Sequence, residues 1–318
     1  MIWLTWRQHR KQALFALAVL ALLAATLIPS GIAIRQAFVD TGYAACVQGF
    51  GTAEFVPLAQ VNGCEEARRA FREGNGGWEI YGTLLVFLPL LAGLFWGAPL
   101  VARETEAGTH HLVWTQGVTR RRWALTKFGL VGLAVLAAAG AYSGLLTWWA
   151  EPLTSTGGGR FASVVFDLQG MVPIGYTLFA VALGILAGAV THKVLPAMAA
   201  TLVGFVAVRM VVMFAARPVF LPPKERTFPV ATTEIPNPAS GDWLLSHAIV
   251  DPATGTFNGG YAYCQPSVTC PDEGSYNVLI YQPGERFWLF QHIEAGLYLA
   301  LAAVLLLIAI RLVRRRIA

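Results

Sequence analysis

LQGMVPIGYTLFAVALGILAGAVTHKVLPAMAATLVGFVAVRMVVMFAA, residues 168–216, decides what kind of chain this is. It holds two apolar runs, Leu168–Thr191 and Val194–Ala216, parted only by His192 and Lys193. Each is long enough to cross a hydrocarbon core, which takes about 20 residues of helix. Two such runs joined by two residues must fold back on each other as a tight helical hairpin. Working outward, similar runs occupy Ala13–Ile34, Ile80–Ala102 and Phe128–Ala150 before the hairpin and Phe287–Ile310 after it. The expected fold is an all-α integral membrane protein with six transmembrane helices. Composition agrees, since 56% of the 318 residues are hydrophobic and only 13% are charged. Soluble domains carry roughly 25% charge, and disordered chains are poor in apolar residues, so both classes are excluded.

Charge placement orients the bundle. The N-terminus (Arg7, Arg10, Lys11), the loop between the second and third spans, Lys193 and the tail (Arg311, Arg314, Arg315, Arg316) hold 13 of the 23 basic residues, with only Glu104 and Glu106 opposing them. The other side carries nine basic and fifteen acidic residues. By the positive-inside rule the basic side is cytoplasmic and both termini lie there, which predicts a multi-pass protein of a bacterial plasma membrane. The arginine-over-lysine bias of 19 to 4 agrees with a GC-rich bacterial source. The net charge of +5 then belongs to the membrane flanks, and no nucleic-acid partner is expected. The chain divides into an interfacial helix over 1–12, spans one to five over 13–216, an external cap over 217–286, and span six with its basic tail over 287–318. Within 13–216 lie an external loop, 35–79, and a cytoplasmic loop, 103–127. The first segment combines Ile2, Trp3 and Trp6 with basic residues, as helices lying at a lipid surface do, and span one reads as a retained signal anchor.

All four cysteines fall on the external side: Cys46 and Cys64 in the first loop, Cys264 and Cys270 in the cap. Disulfides belong in oxidising compartments. Of the three connectivities open to four cysteines, pairing within each loop is preferred. The stretch Glu65–Glu73 reads as a short exposed helix, whereas the Pro-, Gly- and aromatic-rich cap reads as irregular or β-containing. Gly93/Gly97, Gly140/Gly144 and Gly184/Gly188 are G-x-x-x-G pairs that let backbones approach closely, within one bundle or across a dimer seam.

Two ionisable residues interrupt the apolar runs. Arg209 stands about 12 Å below the outer end of span five and Glu294 about 10 Å below that of span six, at 1.5 Å per residue. Unpaired charge in lipid costs around 2.5–3.5 kcal/mol on insertion scales. The two are therefore expected to pair or line an outer cavity, unless both snorkel to the surface.

The cytoplasmic loop reads RETEAGTHHLVWTQGVTRRRWALTK over Arg103–Lys127. It opens with two acids, passes Gly108–Thr109 into an apolar patch, turns at Gln116–Gly117 and closes on basic residues. It resembles the cytoplasmic loop of ABC-2 type transporter permeases, through Arg103, Glu104, Glu106, Gly108, Thr109, Leu112, Arg120, Arg121, Arg122 and Lys127. Six spans, an N-terminal interfacial helix and an external segment before span six are also similar to that family. His110, His111 and Trp114 stand where leucines are usual, and Gly117 where a proline is common.

The resemblance implies the permease half of an exporter whose loop seats in a groove of a separate ABC ATPase subunit. Glu104 and Glu106 would contact the ATPase or orient the loop, Gly108 and Gly117 shape it, and Arg120, Arg121 and Arg122 hold it at the lipid surface. A second permease copy and the lipid bilayer complete the expected partners. An ATPase needs a G-x-x-x-x-G-K-[ST] loop to cradle phosphates, and none of Lys11, Lys127, Lys193 and Lys224 follows a glycine. The chain is accordingly expected to be no enzyme and to bind no cofactor, with ATP and Mg on the partner. No H-E-x-x-H, G-x-S-x-G or zinc-spaced Cys/His pattern is present. The expected cargo is lipophilic or amphipathic, because the spans offer no charged stripe. The competing reading is a membrane-embedded sensor or enzyme with a ligand-binding external cap.

Overall fold

The computed structural model describes residues 2–75, 77–108, 119–155, 159–230, 232–252, 255, 257–259 and 274–315. Among these, six helices are long and apolar enough to span a membrane, covering Arg10–Asp40, Ile80–Glu106, Arg122–Thr154, Val172–Thr191, Val194–Val219 and Gly284–Arg314. The predicted all-α membrane fold is therefore present.

Span four is the axis of the bundle. Fourteen of the twenty residues in Val172–Thr191 are buried, against three of eighteen in Val194–Val211. Its small residues permit this. A Cβ on Gly184 would lie 2.5 Å from the Ala98 backbone nitrogen, one on Gly188 2.7 Å from the Ala98 oxygen, and one on Gly93 2.7 Å from the Ala180 oxygen. Two of the three G-x-x-x-G pairs thus interlock spans two and four inside one bundle. The third pair does not, because Gly140 and Gly144 have nothing within 4 Å of their Cβ positions. Span six packs on the other side of span four, where Gly175 meets the Ala295 backbone.

The hairpin between spans four and five turns at His192, which takes the left-handed conformation (φ 57°) and ends span four. Lys193 is extended, and span five begins at Val194.

Two features of the N-terminal half depart from expectation. Residues 1–12 were expected to form a separate interfacial helix, but the helix Ile2–Asp40 runs unbroken for 39 residues. At 1.5 Å per residue it is about 58 Å long, nearly twice a hydrocarbon core of about 30 Å, with no break at residue 12. The other departure joins the first loop to the cap. Strand β1 (Phe55–Pro57) pairs antiparallel with β3 (Glu234–Pro236). The cap's main sheet orders β2 (Lys224–Pro229), β6 (Tyr276–Gln282), β4 (Trp243–Val250) and β5 (Phe257–Gly259) as antiparallel neighbours. Arg226 fastens the two together, bonding Glu54 at 2.9 Å, Asp242 at 3.2 Å and the Tyr281 hydroxyl at 3.0 Å. The helix expected from Glu65 runs Glu65–Asn75. The Cys46–Cys64 disulfide is formed, whereas Cys264 and Cys270 lie outside the described residues.

Candidate functional site

Two polar constellations stand out against the apolar bundle, one at each end. The first is at the basic end, where the 103–127 loop leaves and rejoins the membrane. Span two ends at Glu106, and the chain turns at Gly108 with φ +66°. Span three starts at Arg120, where the Thr119 hydroxyl accepts from the Arg122 N–H at 3.3 Å and so caps the helix. Such a cap satisfies one of the N–H groups a helix start leaves open.

Both stems are tied down. Lys127, buried among the spans, donates to Glu104 at 2.5 Å and to the Leu100 carbonyl at 2.9 Å, and its ammonium lies 5.1 Å from the Trp123 ring. Glu106 accepts from the Val194 N–H at 3.0 Å, placing a negative charge at the positive end of span five. Thr105 reaches the His192 carbonyl at 3.4 Å. The first stem is thereby fixed to span three and to the hairpin before span five. Of the residues predicted to act here, Glu104 and Glu106 point back onto the bundle, Gly108 makes the turn, and Arg122 is exposed. Thr109, Leu112, Trp114 and Gly117 lie outside the described residues, as do the side chains of Arg120 and Arg121.

The second constellation lies towards the cap end, deep in the bundle. Arg217 donates through Nε to Glu294 Oε2 at 2.7 Å and through Nη2 to Glu294 Oε1 at 2.8 Å and Asp167 Oδ1 at 2.7 Å. Arg209 donates to Asp167 Oδ2 at 2.5 Å and to the Val86 carbonyl at 3.5 Å. The Tyr176 hydroxyl sits between the carboxylates, bonding Asp167 at 3.0 Å and also Glu294. Arg217 and Arg209 lie over the rings of Phe166 and Tyr176, at 4.2 and 4.9 Å. Glu294 is fully buried and Arg217 is 2% exposed. Two acids and two guanidinium groups cancel, which is how buried charge is tolerated at membrane depth.

The expected direct pair of Arg209 and Glu294 is thus corrected. Arg209 bonds Asp167, and Glu294 bonds Arg217. Neither snorkels free, because each finds its partner inside the bundle. Sequence reading missed Asp167 and Arg217 for separate reasons. Asp167 precedes the apolar run of span four, but the chain dips into the bundle early: the short helix Ser163–Leu168 is buried from Val165 onward. It breaks at Gly170 (φ +64°) before span four starts at Val172. Gln291 satisfies the broken ends, donating to the Phe166 carbonyl at 2.9 Å and accepting from the Val172 N–H at 3.2 Å.

Arg217 was placed beyond span five. In a regular helix, eight residues turn through 800°, leaving Arg209 and Arg217 about 80° apart. The wide π turn Val212–Ala216 absorbs one extra residue, so the pair is spaced as though seven apart and falls within about 20° of one face. Nothing in the residues of that turn announces it.

The cluster is satisfied from within the bundle. All four carboxylate oxygens of Asp167 and Glu294 accept hydrogen bonds, and among the described residues no group of three or more His, Cys, Asp and Glu is arranged to hold a metal. Its evident effect is mechanical: it pins the entry to span four, spans four, five and six, and the Val86 carbonyl of span two at one point.

Against known proteins, a family model described as ABC-2 membrane transporter related matches residues 17–217. No curated protein matches, and no solved structure does. The matched region contains the whole of the 103–127 loop and its ties to spans three and five.

Proposed function

The chain belongs to the ABC-2 membrane transporter related family, and from that premise we propose that it is the membrane-spanning permease subunit of an ATP-driven exporter. In this reading a separate ABC ATPase subunit binds ATP and Mg and docks on the 103–127 loop. Two permease copies flank one pathway. The basic end faces the cytoplasm of a bacterial cell, so both termini are inside and the cap is outside.

One observation carries the reading: the Glu104–Lys127 and Glu106–Val194 ties anchor the loop's first stem to spans three and five. A push on a loop with free stems would be lost in local motion. Here a displacement of the loop must move three spans together, and the cluster of Arg209, Asp167, Arg217 and Glu294, through Arg209 and the Val86 carbonyl, joins two of those three, spans two and five, to spans four and six at the far end. A lipophilic or amphipathic cargo is supported by an apolar cavity of about 130 Å³ between spans one, two and three, bordered by Leu20, Leu88, Trp96, Val135 and Tyr142. The sensor or enzyme alternative needs a reactive group at depth; Arg209, Arg217, Asp167 and Glu294 are occupied by one another, and His292 is bonded to the Trp288 carbonyl.

The test uses the complex of this chain with a phosphate-loop ATPase subunit that co-purifies with it, reconstituted in nanodiscs. Glu106→Ala, or one residue inserted after Gly108, is expected to leave membrane insertion and complex assembly intact while abolishing the permease-dependent part of ATP hydrolysis. Unchanged hydrolysis in both variants removes the coupling role.

A further inference from the structure

A cavity of about 440 Å³ opens at the cap end between spans three and six. Thr147 and Trp148 of span three form one wall, and Phe287 and Trp288 at the start of span six form the other. Gln169 makes the floor and Arg160 the rim. It is separate from the pinned charge cluster and from the 103–127 loop, and nothing in the coupling scheme uses it.

Two of its polar groups, Gln169 and Arg160, are unspent. Gln169 is 4% exposed, its side-chain amide has no hydrogen-bond partner among the described residues, and the little it exposes lines the cavity, where a ligand atom or a water can meet it. Neighbouring Gly170 is by contrast satisfied, its N–H given to Thr147 at 2.9 Å and its carbonyl accepting from Ser143. Arg160 has no acidic partner among the described residues, and its guanidinium lies 5.8 Å from the Phe287 ring. Glu151, the other charged residue of the lining, already pairs with Arg35 at 3.1 Å.

The walls are made for an amphiphile. Trp148 and Trp288 are 36% and 49% exposed, and tryptophan at the end of a span settles at headgroup depth. Below Trp148 the exposed face of span three continues through Gly144, Ala141 and Ala137. Gly144 has nothing within 4 Å of its Cβ position. A track of small, exposed residues therefore runs from the cavity along span three.

We propose that this cavity is a phospholipid site: the lipid phosphate rests between Arg160 and Gln169, the glycerol region between Trp148 and Trp288, and one chain along the small-residue face of span three. The site holds whether or not the chain moves lipids.

The experiment takes the full-length protein in phosphatidylcholine nanodiscs containing a trace of phosphatidylglycerol with a photoreactive diazirine chain, and maps adducts by mass spectrometry. Adducts are expected to concentrate on residues 137–148 and 287–292. Arg160→Ala, on the exposed rim, is expected to reduce them roughly tenfold, the worth of one charge-assisted hydrogen bond. Gln169→Leu should do likewise, and Trp288→Ala gives an independent reading should that buried variant misfold. Millimolar inorganic phosphate should leave the pattern unchanged. Adducts spread evenly over the six spans, indifference to Arg160→Ala and Trp288→Ala, or displacement by free phosphate would each overturn the proposal, the last in favour of a simple anion site.

Discussion

Among the described residues Arg217 is the one cation that bonds both buried acids, a position it shares with the uncharged Tyr176 hydroxyl. Removing one partner from a buried ion pair strands the other, at a cost of about 3–5 kcal/mol. Arg217→Met strands Glu294 and halves the support of Asp167, so it is predicted to lower unfolding free energy by that amount. Arg209→Met should cost clearly less, because Asp167 keeps its bond to Arg217 and Arg209 is only partly buried. Thermal unfolding of the two variants in one detergent checks the order; equal losses would mean the acids are not held as described. At this scale the sequence was half readable. Arg209 and Glu294 were visible as charges in apolar runs, but their partners were not, since Asp167 and Arg217 lie outside any run that hydropathy delimits.

Among elements, the contact of spans two and four is the tightest. The Cβ that any larger residue would place at 184 meets backbone of span two at 2.5 Å, which no rotamer can relieve. Gly184→Leu is predicted to separate the two spans and give aggregated or rapidly proteolysed protein. Gly144→Leu, facing open space, should insert and purify as the parent does. Size-exclusion profiles distinguish them, and a normal profile for Gly184→Leu would contradict the packing. The G-x-x-x-G spacing was plain in the sequence, but which pairs face a neighbour depends on how each helix is rotated, and a pattern repeated in three spans cannot supply that.

The helix Glu65–Asn75 carries a pH signature of its own. Hydrogen bonds from Arg68 hold the Glu65 carboxyl down at about 2, against an ordinary 4.5, with burial opposing and Arg69 assisting. A depressed acid stabilises the fold above its unfolded value and loses that contribution as pH falls through its folded value. Amide exchange in residues 65–75 is therefore predicted to stay flat from neutral pH to about 4.5, once corrected for intrinsic rates, and to rise between there and about 2. In Glu65→Gln that rise should be absent; an unchanged profile would remove the pairing.

For the whole molecule, six spans could be read because crossing a bilayer demands length and hydrophobicity locally, and those need no knowledge of neighbours, whereas the cap read only as irregular or β-containing. What could not be read is how distant segments combine. The first loop enters the cap as strand β1 through contacts with residues nearly two hundred positions away. The continuous first helix also escaped, since an amphipathic start looks the same whether the chain bends at residue 12 or not. A bundle gripped at its basic end and pinned near its cap end should carry motion imposed on the loop to the far side.

That claim is met most directly by asking which side the loop faces and what covers it. Ala107→Cys puts a thiol on an exposed residue at the mouth of the loop, clear of the ties at Glu104 and Glu106. A membrane-impermeant maleimide, with its adduct mapped by mass spectrometry, is predicted to label it in inverted vesicles but not in intact cells, and to be blocked when the ABC ATPase subunit is bound. Labelling from outside intact cells, or labelling indifferent to the ATPase, would contradict the account.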